Sequence, residues 1–344
     1  MAEAIAFKYR LLDSNGQVTG FLSKRGSFDG QTLVLDKQPI TVEAVIRAMR
    51  RFNRLMIIFH GETDELAVLT LAIHKGDIGR LHSSLNMFAS EAQARRRLDH
   101  LESTGQAEKF RVETCPHCQA TIDMTGFPAS PQVHCPYCDV IGTLEQTVED
   151  EEKFSHCDQC ELFAQAKEFT AFFFYFLIVL YGYSHRQMFI CRSCMRRQAW
   201  KMFFSNLIFL LGVPVSLVQI CRAHFGRWST NPAFAGLNRA ATLYSGKRYD
   251  QASGIYEQLA GQISCCAGVH YNHGMAEASA GRIAEAATQF ELALQDCANY
   301  ARAADALYGC YNRLGRHEDA EAVRCMWTDE PDEDHASDES SQGD

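Results

Sequence analysis

Short runs of apolar or alternating residues mark the first part of the chain: Ala4–Leu11, Val18–Leu22, Gln31–Leu35, Leu55–His60 and Leu66–Ile73. Turn signals separate them, among them Ser14-Asn15-Gly16, Phe28-Asp29-Gly30 and Lys75-Gly76-Asp77. A period of two bounded by such turns predicts strands, so residues 1 to about 88 are expected to be mostly β. From Ala89 to about Glu108 the pattern changes. Ser90 with Glu91 through Leu98 supplies a capping start and good helix formers, which predicts one helix.

Two later stretches abandon alternation. Phe169–Tyr183 runs fifteen residues without a charge, many of them aromatic or β-branched. A strand pair with one wet face would alternate, so a hairpin covered on both faces is expected there. Met202–Cys221 runs twenty residues without a charge, long enough for one bilayer crossing. Gly212 and Pro214 sit near its centre, where they break or kink a helix. Basic residues flank both ends (Arg192, Arg196, Arg197 and Lys201 before, Arg222 and Arg227 after), so the positive-inside rule sets no orientation. A helical hairpin that dips into one leaflet and returns satisfies both facts. Spanning the bilayer, or packing within the protein, is the alternative.

Beyond residue 230 the sequence repeats. Ala252, Ala286 and Ala320 recur within Tyr249-Asp250-Gln251-Ala252, Ile283-Ala284-Glu285-Ala286 and His317-Glu318-Asp319-Ala320, each preceded by Gly246, Gly281 or Gly315. The 34-residue period with helix-turn-helix punctuation resembles tetratricopeptide repeats (TPRs). That resemblance implies three helix pairs over residues 230–327 and a concave groove for an extended protein or peptide partner. Asn238, Asn272, Arg302 and Arg313 are the expected peptide contacts. The strands and helix of residues 1–110 resemble the pleckstrin-homology-like (PH-like) superfold, with the rhythm of its bacterial members from Gly26-Ser27-Phe28-Asp29-Gly30 through Ile40 to Ile58. That fold would permit lipid binding without requiring it. Arg47, Arg50, Arg51 and Arg54 form a basic cluster, read as a solvated face with an anionic-lipid contact as the alternative.

Cysteine spacing changes the picture of the middle. Eight of the fourteen cysteines form four Cys-x-x-Cys pairs: Cys115/Cys118, Cys135/Cys138, Cys157/Cys160 and Cys191/Cys194. Two such turns supply four thiolates to one tetrahedral ion, so two structural zinc ions are expected, paired either sequentially or cross-braced. A four-thiolate site leaves no position open for substrate. Cys115-Pro116-His117-Cys118 and Cys135-Pro136-Tyr137-Cys138 also resemble redox tetrads, yet neither has a strand before it and a long helix after it. His117 and His134 beside the ligands are expected outside the coordination sphere. Cys221, Cys265, Cys266, Cys297, Cys310 and Cys325 lack ligand spacing and are expected as small core residues.

The formal charge of −9 is local, because the tail from Thr328 to Asp344 carries eight carboxylates and no Lys or Arg. That tail, and the run Glu149–Glu152, are expected to be solvated segments. With no Lys or Arg between Cys118 and Cys135, nucleic acid is not favoured as a partner. No basic n-region with an apolar run opens the chain, which favours a reducing compartment. No phosphate loop, nucleophile elbow or metalloprotease motif is present, so neither an enzyme nor a small-molecule substrate is expected.

The expected architecture is multidomain α+β. It comprises a PH-like module (1–110), a zinc ribbon (111–145), a second zinc module with an apolar hairpin (153–200), an apolar segment (201–222), a TPR stack (230–327) and a tail (328–344). The expected function is a non-catalytic scaffold on the cytoplasmic face of a membrane. A soluble zinc-ribbon regulator binding nucleic acid, or a thiol-disulfide protein, is the alternative.

Overall fold

The computed structural model describes residues 4–13, 16–61, 65–144, 154–177, 180–207, 212–226, 228, 236–263 and 265–327, with side chains described except at 21 and 174–185. The acidic run at 149–152 and the tail at 328–344 lie outside the described residues.

Seven antiparallel strands open the chain: β1 (Ile5–Leu12), β2 (Val18–Phe28), β3 (Thr32–Leu35), β4 (Gln38–Thr41), β5 (Val45–Arg51), β6 (Arg54–His60) and β7 (Leu66–Lys75). They form one sheet in the order β4-β3-β2-β1-β7-β6-β5. Alternation puts Tyr9, Phe28, Leu33, Leu55, Ile57 and Leu71 on one face, all fully buried. Helix α1 (Ile78–Ser103) covers that face through Leu81, Leu85 and Ala89.

Two expectations are corrected here. Strands β4 and β5 were not anticipated, because Gln38–Thr41 is four residues long and contains Pro39, and Val45–Arg51 does not alternate strictly. The helix starts at Ile78 instead of Ala89. Asp77 caps it, its Oδ1 accepting from the Arg80 amide at 2.9 Å, and Ile78, Leu81 and Leu85 already follow the helical period. Asn86 fixes helix to sheet, accepting from the Ala48 amide at 2.8 Å and donating to its carbonyl at 2.9 Å.

The middle of the chain consists of short hairpins. β8 (Val112–Thr114) pairs with β9 (Thr121–Asp123), β10 (Gln132–His134) with β11 (Ile141–Thr143), and β12 (Ser155–His156) with β13 (Phe163–Ala164). β14 (Lys167–Leu177) and β15 (Leu180–Ile190) then form a long antiparallel hairpin in unbroken register. Phe169, Ala171, Met188 and Ile190 bury one face of its base, while Thr170, Phe172 and Phe189 on the other face are half-buried, and most of the stretch expected to be covered on both faces lies outside the described side chains.

The apolar stretch that follows is a helical hairpin. α2 (Arg192–Leu207) ends before Gly212, and α3 (Val213–Phe225) starts with Pro214 in its first turn, where the missing N–H costs nothing. The single-crossing alternative is corrected by this break: among the described residues no helix is long and apolar enough to cross a membrane. Asn206 pins the two hairpins together, donating to the Phe172 carbonyl at 2.8 Å and to Ser216 Oγ at 3.1 Å.

Three helix pairs complete the described chain: α4 (Leu237–Ser245) with α5 (Tyr249–Ala260), α6 (Ala267–Ser279) with α7 (Ile283–Asp296), and α8 (Ala301–Arg313) with α9 (His317–Cys325). Gly281 and Gly315 take positive φ of 86° and 73° at the turns of the second and third pairs. In the first pair the left-handed position falls on Lys247, at φ 60°, because Gly246 sits one residue early. Ala286, Phe290, Tyr300 and Leu307 form the core of the stack.

Candidate metal centres

Three of the four cysteine pairs fold into the same tight turn. In each, the amide of the first cysteine donates to the carbonyl five residues on: Cys115 to Ala120, Cys135 to Val140 and Cys157 to Leu162. The residue after the second cysteine adopts a left-handed conformation (Gln119 at 62°, Asp139 at 59°, Glu161 at 61°) and returns its amide to the first cysteine's carbonyl. Both sulfurs of the pair thereby emerge on one side. The fourth pair is built differently, since Cys191 immediately precedes α2 and Cys194 lies in its first turn. There the helix N-terminus favours thiolates.

The turns bring the sulfurs together as two groups, Cys115, Cys118, Cys135 and Cys138, then Cys157, Cys160, Cys191 and Cys194, each with its Sγ atoms within 4.8 Å of one another. Pairing is sequential. Cys115 and Cys138 sulfurs are 3.7 Å apart, Cys118 and Cys135 3.6 Å, and Cys160 and Cys191 3.8 Å. A regular tetrahedron with metal–sulfur bonds of about 2.3 Å has edges of about 3.8 Å. Disulfide bonds would need about 2 Å, and all eight cysteines are free thiols. Seven of the eight are buried, and Cys160 is half-buried.

Charge reinforces this reading. Hydrogen bonds from Cys118, Cys135 and Cys138 hold the Cys115 thiol far below its ordinary range, while Cys115 chiefly pushes Cys135 and Cys138 far above theirs. Cys157 is held low by Cys160, Cys191 and Cys194, and pushes those three up. Four packed sulfurs share protons unevenly, and a divalent cation is what lets all four ionise. Amides of His117 and Cys191 also point at Cys115 and Cys157 sulfurs, at 3.4 and 3.3 Å.

A buried polar chain connects the two centres. Asp139, next to Cys138, accepts from His134 Nε2 at 3.1 Å and faces His156 Nδ1 at 3.5 Å. His156 precedes Cys157, and its Nε2 bonds to the Tyr300 hydroxyl. Burial works against the Asp139 carboxylate, but hydrogen bonds from the two imidazoles hold it well below the usual range. His134 is therefore buried and structural, while His117 is half-buried beside its ligand turn.

The groove side of the helical stack meets this metal-bearing region directly, which corrects one expected peptide contact. Asn272 is fully buried, its Oδ1 accepting from the Phe163 amide and its Nδ2 donating to the Phe163 carbonyl, both at 2.7 Å. Its amide is spent on β13 and is closed to an incoming peptide. Asn299 repeats the contact on β10, accepting from the His134 amide at 2.9 Å and donating to its carbonyl at 2.8 Å. Gln132 accepts from the Ala267 amide at 2.9 Å. Of the other expected contacts, Asn238 is half-buried, and Arg302 and Arg313 are exposed. Asn299, Gln132, His156 and Tyr300 were not singled out from the sequence, because they fall outside both the cysteine spacing and the 34-residue period. The remaining cysteines divide: Cys266, Cys297 and Cys310 are buried, whereas Cys221, Cys265 and Cys325 are exposed, against the core placement expected of them.

No protein-family model matches the chain, and no curated protein matches it. Solved structures of MamA are similar over part of it. A MamA R50E mutant shares 18% identity over 39% of this chain and 93% of its own, and MamA AMB-1 shares 20% over 38% and 74%, each with a TM-score of 0.26.

Proposed function

We propose that this chain is a non-catalytic scaffold, shaped by two structural zinc ions, that docks on the cytoplasmic face of a membrane and offers its helical stack to a protein partner. Zinc suits the donor set: four thiolates at tetrahedral spacing saturate the ion, which leaves a fold-stabilising role. The first centre joins modules that each have a core of their own. The first lies between the sheet domain and the stack, where Ser90 of α1 accepts from the Thr121 amide at 2.9 Å while Asn299 holds β10.

Membrane docking is carried by one observation, the apolar face of the α2–α3 hairpin. Trp200, Phe204 and Leu207 recur at helical spacing on α2, and Val215 and Val218 on α3, all exposed, with Phe204 at 62%. Among soluble surfaces such a patch marks an interaction site, and an uncharged stretch between basic flanks suits the headgroup boundary. The break at Gly212 fits entry and return on one side. The PH-like reading of the sheet domain is consistent with work at that surface.

Flotation of the zinc-loaded chain with anionic phospholipid vesicles tests this. Co-flotation is expected, with loss in Phe204→Glu/Val218→Glu at unchanged zinc content. Recovery of the unaltered chain entirely in the unfloated fraction, or as a dimer that the double variant dissociates, would replace the membrane with solvent or a second copy.

A further inference from the structure

A cleft of about 1520 Å³ opens where the β5–β6 hairpin, the first cysteine centre, residues flanking Cys157, the base of the α2–α3 hairpin and the helical stack converge. Its electrostatics oppose those of the chain. The whole sequence sums to −9, yet eight cationic side chains line the cleft against four carboxylates and the first cysteine centre, which carries −2 when four thiolates hold one divalent zinc.

Three of those carboxylates already have partners within the fold, Glu168 being the exception among the described residues. Asp139 is held by His134 and His156, Asp158 by Arg51 and the Phe189 amide, and Asp77 caps α1. Four of the cations opposite are less well served. Arg47 and Arg192 each bury an Nε with no hydrogen-bond partner, and neither Arg222 nor Arg302 forms an ion pair among the described residues. Buried guanidinium donors without acceptors cost stability, and converging like charges repel. Both penalties are relieved by an anion.

Seven of the eight cations are arginines, whose planar forks bind phosphate oxygens in pairs, and they approach from three different modules. A chain of phosphates presents paired oxygens to several forks at once, which one compact carboxylate does not. Tyr137 and Trp228 supply aromatic walls, with Lys167 Nζ 5.0 Å and the Arg192 guanidinium 5.8 Å from the Trp228 ring. Arg192, at the base of the α2–α3 hairpin, lies about 22 Å along α2 from Leu207 on its exposed apolar face, so the cleft is not part of that face.

We propose that this cleft binds a soluble phosphate-rich anion of the triphosphate class, which bridges the sheet domain, the metal-bearing middle and the helical stack. The reading is independent of membrane docking.

Isothermal titration of the zinc-loaded full chain with inorganic tripolyphosphate tests it. One site is expected, weakening as salt rises. Arg222→Gln and Arg302→Gln, both exposed and in no ion pair among the described residues, should each reduce affinity roughly tenfold with the thermal midpoint unchanged, while Arg313→Gln, outside the cleft, should not reduce it. Absence of binding, an affinity indifferent to both cleft variants, or an adventitious surface site equally sensitive to Arg313→Gln would overturn the proposal. So would cleft-dependent binding of phosphoinositide vesicles without binding of free tripolyphosphate, which would reassign the cleft to lipid headgroups.

Discussion

The carboxamide of Asn272 closes a reciprocal pair of 2.7 Å hydrogen bonds on the backbone of Phe163, so a groove position of the helical stack is occupied by the strand that follows the Cys157/Cys160 turn. The contact spans 109 residues and is fully buried. Replacing Asn272 with alanine leaves both an N–H and a C=O of Phe163 without partners in a site closed to water. A loss of about 2–4 kcal/mol is expected. Asn299→Ala should act similarly on His134, and chemical denaturation with tryptophan emission as the signal reads both. A change below about 0.5 kcal/mol in either variant would mean the docking is dispensable.

Metal content offers a separate check. The purified reduced chain should carry two zinc ions, because the sulfurs form two independent groups. Cys135→Ser should remove one ion and Cys191→Ser the other, each without displacing its neighbour's, as measured by elemental analysis against protein concentration. Since metal binding supplies folding free energy, a strong chelator should unfold the middle of the chain and free Asn272 and Asn299 together. Retention of full thermal stability after chelation would contradict a structural role.

Acid sensitivity should trace in part to His273. Burial depresses its pKa below the ordinary 6.5, in spite of Glu277 beside it, and Ser253 Oγ lies 2.8 Å from its Nε2. Its folded pKa is lower than its unfolded one, so below pH 6.5 the unfolded chain binds more protons. Stability from this group is present above 6.5 and is lost as pH falls through the folded value, at no more than about 1.4 kcal/mol per pH unit. Glu277, also depressed, adds a second loss below 4.5: burial opposes its charge, but Arg282 and Ser253 outweigh it. Denaturation midpoints of His273→Gln and the parent chain, compared between pH 7.5 and 5, should converge on acidification. Parallel profiles would remove His273 from the account.

Local signals were legible in the sequence and long-range ones were not. Three of the cysteine turns depend on residues within six positions, so spacing sufficed to single out the clustered sulfurs while leaving open how the pairs combine, and the break at Gly212 and Pro214 followed from proline geometry alone. The 34-residue period located the helix pairs, including the misplaced Gly246. What escaped were residues whose meaning comes from a distant partner. Asn299 bonds to a strand 165 positions away, and Arg51 reaches Asp158 across 107. Arg47, Arg50 and Arg51 looked like a wetted face because the wall opposite them belongs to other modules. Helix α1 was placed too late because Ile78–Phe88 followed a β-rich region and its cap is a single aspartate.

Glycine substitutions on the helical stack should separate docking from intrinsic helix preference. Gly268 lies on α6 under the Phe163 ring, and a Cβ there would come within 2.3 Å of Phe163 Cδ1. The ring is buried among Tyr271, Phe290 and Phe154 and cannot swing aside, so Gly268→Ala should destabilise by about 1–3 kcal/mol through overpacking. Gly254 on α5 is also helical but faces open space within 4 Å. Gly254→Ala should therefore stabilise by about 0.5–1 kcal/mol, since alanine lowers the backbone entropy lost on helix formation. Opposite signs for one chemical change on neighbouring helices are the expected outcome of thermal denaturation. Two stabilising substitutions would show that β13 does not press on α6 as closely as Phe163 and Gly268 require.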